Sequence, residues 1–202
     1  MSRFDECPYQ RVEYIENSPD LGFSHIIIDY VPQGGDIDIE LEFMPVSFGS
    51  YTYDYYFIAY TDASVQGYLM QATGANKQQV NIRNGNASTT NITSLPIKVG
   101  ERNFLRMEGS PRRYQLNEIE GDLKAAATKI NTDPLLLMGR RSDESNSAFW
   151  RLYYFQLWKA GKQILDLVPV RIGDEGFMYD KVSGKLFGNG GTGKFILGPD
   201  VL

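Results

Sequence analysis

The sequence predicts an all-β chain built as two packed antiparallel sheets, and three observations predict it. First, the dominant period is two. Asp36-Ile-Asp-Ile-Glu-Leu-Glu-Phe43 alternates without a fault, setting Ile37, Ile39, Leu41 and Phe43 on one face and Asp36, Asp38, Glu40 and Glu42 on the other. Second, runs rich in aromatic and β-branched residues are each stopped by glycine or aspartate, which accept tight-turn dihedrals. The clearest train is Phe149 to Lys159, a turn at Gly161, then Ile164 to Val170. Third, helical periodicity is nearly absent, and turn signals about every eight to twelve residues belong to a sandwich rather than to alternating strands and helices.

Taken in order, strands are expected at Arg11 to Glu16, His25 to Tyr30, Asp36 to Phe43, Tyr55 to Tyr60, Gly67 to Ala72 and Gln79 to Arg83. Further strands are expected at Ile97 to Val99, Asn103 to Glu108, Arg113 to Ile119, Leu123 to Ala126 and Leu135 to Met138. The C-terminal train follows, through Gly176 to Asp180 and a last strand from Lys194 to Leu197. Lys124-Ala-Ala-Ala-Thr-Lys-Ile130 has helix-forming composition, but a single uncapped turn is marginal alone. A strand flanking a Gly121-Asp122 turn fits it equally.

Bulk properties bound the function. At 202 residues with 42% apolar and 13% aromatic content, the chain buries one sizeable core, and residues 1–202 read as one domain. A net charge of −5 opposes nucleic-acid binding, which needs clustered cations to displace counterions from phosphates. A lone cysteine, Cys7, permits no intrachain disulfide. The amino terminus has no apolar core of a signal segment, and no stretch has the length of a membrane helix, so no membrane insertion is expected. Without a secretory signal, the sequons Asn86-Ala-Ser88 and Asn91-Ile-Thr93 read as chance.

Several blocks carry a resemblance: Tyr9-Gln-Arg-Val-Glu-Tyr-Ile-Glu16, Arg151-Leu-Tyr-Tyr-Phe-Gln-Leu157, Asp166-Leu-Val-Pro-Val-Arg171, Met178-Tyr-Asp-Lys-Val-Ser-Gly184 and Gly191-Thr-Gly-Lys-Phe195. Together they resemble the laminin-G-like branch of the concanavalin A-like lectin and glucanase superfamily, as found in gut bacteria and in the virion proteins of their phages. The resemblance is strong at both ends and thin from Ser47 to Asn131. It implies a jelly roll whose first and last strands lie close together. It further implies a noncatalytic, lectin-like binding or structural module, a virion component exposed after cytoplasmic folding. The partners it implies are a glycan or other virion or cell-surface proteins, with homo-oligomers allowed. A glycan hydrolase and a bacterial surface carbohydrate-binding protein, part of a larger secreted chain, are the alternatives.

Four constellations invite chemistry. The acidic strand, Asp36 to Glu42, resembles the Glu-x-Asp-x-Glu signature of the superfamily's β-glucanases, whose retaining mechanism uses two carboxyls. Neither register of this strand matches that order, so no catalytic residue is expected. Gly188-Asn-Gly-Gly-Thr-Gly-Lys194 has the spacing of a phosphate loop, but Phe195 stands where a hydroxyl must ligate Mg²⁺. It reads as a hairpin turn before the last strand.

Tyr51-Thr-Tyr-Asp-Tyr-Tyr-Phe57 concentrates phenols, and rings that stack on sugars while their hydroxyls hydrogen-bond make Tyr51, Tyr53 and Tyr55 the expected ligand platform. Alternation would place Phe57 with these three and Ile58 with Tyr56 and Tyr60. Trp150 and Trp158, evenly spaced with Leu152, Tyr154 and Gln156, read as packing residues on one strand face. His25, the single histidine, reads as a strand-entry residue, and one histidine with one cysteine does not build a zinc site. No metal or cofactor is expected. Asp54, Asp62, Asp143 and Glu144 are loop carboxylates suited to calcium, with no spacing that singles them out.

Overall fold

A computed structural model describes residues 7–18, 21–31, 37–47, 55–60, 68–72, 78–82, 93–123, 134–139 and 149–202. The structure is a two-sheet antiparallel β-sandwich, as the sequence predicts.

The larger sheet is assembled around the longest strands, β4 (Ile37–Ser47), β13 (Phe149–Lys159) and β14 (Lys162–Ile172). To one side of β4 lie β9 (Asn103–Glu108), β10 (Arg113–Leu116) and β11 (Ile119–Asp122). Beyond β14 come β15 (Glu175–Asp180) and β16 (Leu186–Phe187), giving the order β11-β10-β9-β4-β13-β14-β15-β16. Three short strands complete it: β1 (Gln10–Arg11) on β14, β2 (Ile15–Asn17) on β13, and β17 (Phe195–Leu197) on β2. The smaller sheet runs β3 (Ile26–Ile28), β12 (Leu135–Leu137), β5 (Tyr55–Tyr60), β6 (Tyr68–Ala72), β7 (Gln79–Ile82), β8 (Thr93–Pro96). The second strand, β2, and the last, β17, are neighbours, while the first, β1, lies on β14.

The core lies between the sheets. Ile37, Ile39, Leu41 and Phe43 of β4 are all buried, as their alternation requires. Phe43 meets Phe57 of β5 at 5.3 Å between ring centroids, and Phe57 meets Trp150 of β13 at 4.8 Å, so three rings lock the two layers together. A polar staple sits among them. Fully buried Asn17 accepts a hydrogen bond from the Trp150 amide at 2.8 Å and donates to the Met138 carbonyl at 2.9 Å, joining β13 to the end of β12.

The block Met178 to Gly184 is a fold device. The Asp180 carboxylate, wholly buried, accepts from the backbone amides of Asp166 (2.9 Å), Val182 (3.1 Å) and Ser183 (3.1 Å). It thereby closes the turn after β15 and ties it to β14, while Gly184 supplies the left-handed φ of 76° that the chain needs to leave the turn.

Several expectations are corrected. One strand from Arg11 to Glu16 is two, β1 and β2, which pair with different partners because the chain crosses from β14 to β13 at Val12 to Tyr14. The strand expected at Ile97 to Val99 lies earlier, as β8. The strand from Arg113 to Ile119 is broken at Asn117, whose φ is 53°, a conformation asparagine tolerates. Its side chain accepts from the Phe104 amide at 2.9 Å, so the turn forms there and Gly121-Asp122 lie inside β11. Among the glycines of 188–194, Gly191 and Gly193 are packing positions rather than hairpin residues: an added Cβ would stand 2.2 Å from the Phe23 carbonyl oxygen and 2.3 Å from the Gly22 carbonyl carbon. The segment carries the chain from β16 to β17, which pair with different strands. Lys124 to Ile130, the sequon Asn86-Ala-Ser88 and Asn91 and Ile92 of the second sequon lie outside the described residues, while Thr93 opens β8.

Candidate functional site: the outward face of the larger sheet

The site follows from strand register. Outward Glu40 and Glu42 of β4 each face an outward residue on both neighbours, because paired residues in a sheet share a face. Glu40 stands opposite Arg106 of β9 and Gln156 of β13. Arg106 stands opposite Gln115 of β10, which faces Glu120 of β11, and Gln156 stands opposite Asp166 of β14. The result is an unbroken polar row across six adjacent strands.

Two hollows flank this row. One, of about 420 Å³, is lined by Arg106, Glu108, Arg113, Gln115, Glu120 and Asp122. The other, of about 400 Å³, is lined among others by Glu40, Glu42, Arg102, Tyr154, Gln156 and Asp166, with Arg11 to Glu13 and Val201 forming a wall.

The polar groups are held in place by one another. Tyr154 donates to the Glu40 carboxylate at 3.1 Å. Burial first, and then the Glu40 charge, pushes the Tyr154 phenol well above its ordinary value, so it remains a neutral donor. Arg102 reaches Glu42 at 3.3 Å, is paired with Glu13, and stacks 4.0 Å from the centre of the Tyr153 ring. Burial draws this guanidinium down, but Glu42, Tyr153 and Glu13 together outweigh it and the net shift is upward. Arg106 pairs with Glu108 at 2.9 Å, and Lys181 pairs with Asp166 at 2.6 Å. Gln156 donates to the other Asp166 oxygen at 2.9 Å, and Asp38 accepts from the Gly109 amide at 2.8 Å.

Tyr154 and Gln156 are outward because of a β-bulge. Leu152 pairs with Phe43 and Tyr154 with Glu42, so Tyr153 is one residue more than β4 matches. The extra residue reverses the parity of β13: Trp150 and Leu152 point inward before it, Phe155 and Leu157 after it. Trp158 is therefore not on the face of Trp150. It stands half-buried on the outward side, opposite Asp38, correcting the expectation that both tryptophans pack on one face.

The expected tyrosine platform falls largely outside the described residues. Tyr51 and Tyr53 lie outside the described residues, and Tyr55 enters only as the first residue of β5. The alternation used to divide that cluster fails nearby, since Phe57 and Ile58 are both fully buried where the pairing with β6 shifts register. The loop carboxylates Asp54, Asp62, Asp143 and Glu144 also lie outside the described residues. Among the described residues no group of three histidine, cysteine or carboxylate side chains could hold a metal ion, and no helix is long and apolar enough to cross a membrane. His25 immediately precedes β3, buried, its amide donating to Asn189 at 3.0 Å.

Of the acidic strand, Asp38, Glu40 and Glu42 do come together on the outward face, while Asp36 lies outside the described residues. Sequence reasoning missed their partners. Arg106 was legible, since Phe104, Arg106 and Glu108 alternate with buried Leu105 and Met107. The bulge that turns Tyr154 and Gln156 outward left no local signal.

No family model matches the chain, and no curated protein does. Among solved structures it is similar to the native heptameric SAP-like pentraxin from Limulus polyphemus, at 11% identity and a TM-score of 0.43, over 72% of this chain and 76% of that one.

Proposed function

We propose that the protein is a noncatalytic glycan-binding module whose site is the outward face of the larger sheet. The observation that carries this reading is the pair of adjoining hollows, each of a size that holds a sugar ring or two, lined by carboxylates, amides, guanidinium groups and a phenol. Sugar hydroxyls donate and accept along their edges, and such side chains, fixed by neighbours before the ligand arrives, lose little freedom on binding. A catalytic role would need one carboxyl free to deliver a proton and another to attack. Here Glu40 is engaged by Tyr154 and Glu42 by Arg102.

The resemblance of the terminal blocks to phage virion proteins supports a display role, on a virion surface, in attachment to a glycan of the host. Binding of the full chain to a glycan array, with and without Glu40→Gln, tests the site. The expected result is binding that weakens in the variant with its melting temperature unchanged, and no release of reducing sugar by either protein. Turnover that Glu40→Gln and Glu42→Gln abolish would instead establish a hydrolase. Mass spectrometry of purified particles tests the display role, which fails if the chain is absent from them.

A further inference from the structure

Resting on that reading, we infer that the ligand is a linear, uncharged oligosaccharide laid across the strands, along the row from Glu120 to Asp166. The geometry points to this through three features.

The row is straight in register and continuous. Glu120, Gln115, Arg106, Glu40, Gln156 and Asp166 come one from each of six neighbouring strands, every residue directly opposite the next. Adjacent strands are about 4.8 Å apart, so its five steps span about 24 Å. That spacing is comparable to the length of one pyranose unit in an extended chain, and a chain lying along the row meets one polar side chain per sugar. A compact ligand would fill one hollow and leave the other wet.

The second feature is charge. The cations that touch the row already face carboxylates within ion-pair distance: Arg106 has Glu108, Arg102 has Glu42 and Glu13, and Lys181 has Asp166, while Arg11 stands off the row in the wall of the inner hollow. Arg113, at the outer hollow, stands opposite both Glu108 and Asp122 in register. A uronate, sulfate or phosphate group seated on the row must break one of these pairs and meet the carboxylate it displaces, against a net charge of −5. Uncharged hydroxyls meet no such opposition. They accept from Gln115 and Gln156 and donate to Glu120, Glu40 and Asp166.

The third feature is the wall. Residues Arg11 to Glu13 and Val201 bound the inner hollow on one side. Backbone bonds from Val12 to Pro169 at 3.1 Å and from Val201 to Arg11 at 2.9 Å hold that wall. It limits displacement along the strands and leaves the direction across them open.

The test titrates the full chain calorimetrically with linear neutral oligosaccharides of increasing length in gluco, manno, xylo and galacto series, beside a uronate series of matched lengths. Affinity for at least one neutral series should keep rising up to about six units, by roughly 2- to 5-fold per unit, one net hydrogen bond being worth that much. Gln115→Ala and Gln156→Ala, each second from one end of the row, should each weaken the longest neutral oligosaccharide roughly 3- to 10-fold with unchanged melting temperatures. Affinity that levels off at one or two units, a uronate series that binds more tightly than its neutral counterpart, or indifference to both glutamine variants would overturn the inference while leaving glycan binding intact. Silence from every series and from a broad glycan array would overturn both.

Discussion

Two rows cross the same six strands of the larger sheet, one residue apart, and they differ in everything but backbone geometry. The inward row runs Ile119, Leu116, Leu105, Leu41, Phe155, Leu167; the outward row runs Glu120, Gln115, Arg106, Glu40, Gln156, Asp166. Five of the six inward residues are wholly shielded from solvent, all but Ile119 at the free edge. The outward residues are half-buried or exposed. Burial therefore decides what each row is for. Apolar area removed from water stabilises by about 25 cal/mol per Å², whereas exposed ion pairs contribute about 0–1 kcal/mol each. The inward row holds the sandwich together, and the outward row is left to vary with a ligand.

The largest effect should come from moving outward chemistry inward. Leu41→Asp places an unpaired carboxylate between Leu105 and Phe155, a penalty of several kcal/mol against a total stability of about 5–15 kcal/mol. The variant should lose its cooperative thermal transition by circular dichroism. A melt like the parent's would show that this row is not the core. In contrast, Gln115→Ala on the outward row should change stability by no more than about 0.5 kcal/mol.

Next in size is a change that sets the two rows against each other. Inserting one alanine after Tyr154 adds a second residue that β4 does not match, so with a one-residue bulge the two halves of β13 can no longer both face inward. Either Trp150 and Leu152 or Phe155 and Leu157 must turn to solvent. Burying Leu or Phe side chains is worth about 1.5–3 kcal/mol each, so two misplaced residues should cost about 3–6 kcal/mol. Chemical denaturation would report it. An insertion that leaves the midpoint unchanged would mean that the bulge can widen to absorb the added residue.

The same bulge marks the boundary of what the sequence discloses. β4 could be read residue by residue because its polar and apolar positions alternate through Phe43, and alternation is a local property. In β13 the run Leu152-Tyr-Tyr-Phe155 contains an extra residue with no compositional mark, since tyrosine suits either face. The turn at Asn117 was obscured by Gly121, a stronger turn residue that instead lies in a strand where its missing Cβ leaves room for Tyr114; an added Cβ would stand 2.6 Å from that phenol oxygen. The candidate site lay further out of reach. Its row joins residues from Glu40 to Asp166, and what makes them neighbours is strand order and register, set by tertiary packing rather than by any stretch of chain.

The smallest effect concerns an outward ion pair away from the row, and its pH dependence separates it from packing. Arg171 grips Asp200 with two bonds of 2.7 Å, closing the C-terminal segment onto β14. Hydrogen bonding from Arg171 holds the Asp200 carboxyl below its ordinary value, and the guanidinium is raised in turn. Because the folded-state value is the lower one, the pair stabilises above the ordinary carboxylate range, and its contribution is lost as pH falls through the depressed value. Both groups are open to solvent, so salt should weaken the pair further. Asp200→Asn should therefore melt slightly below the parent at neutral pH and low salt. The gap should narrow on acidification below the carboxylate range, and narrow again in high salt at neutral pH. A gap that stays constant across pH and salt would assign Asp200 to packing of the C-terminal segment and remove charge from the account of how that wall of the hollow is held.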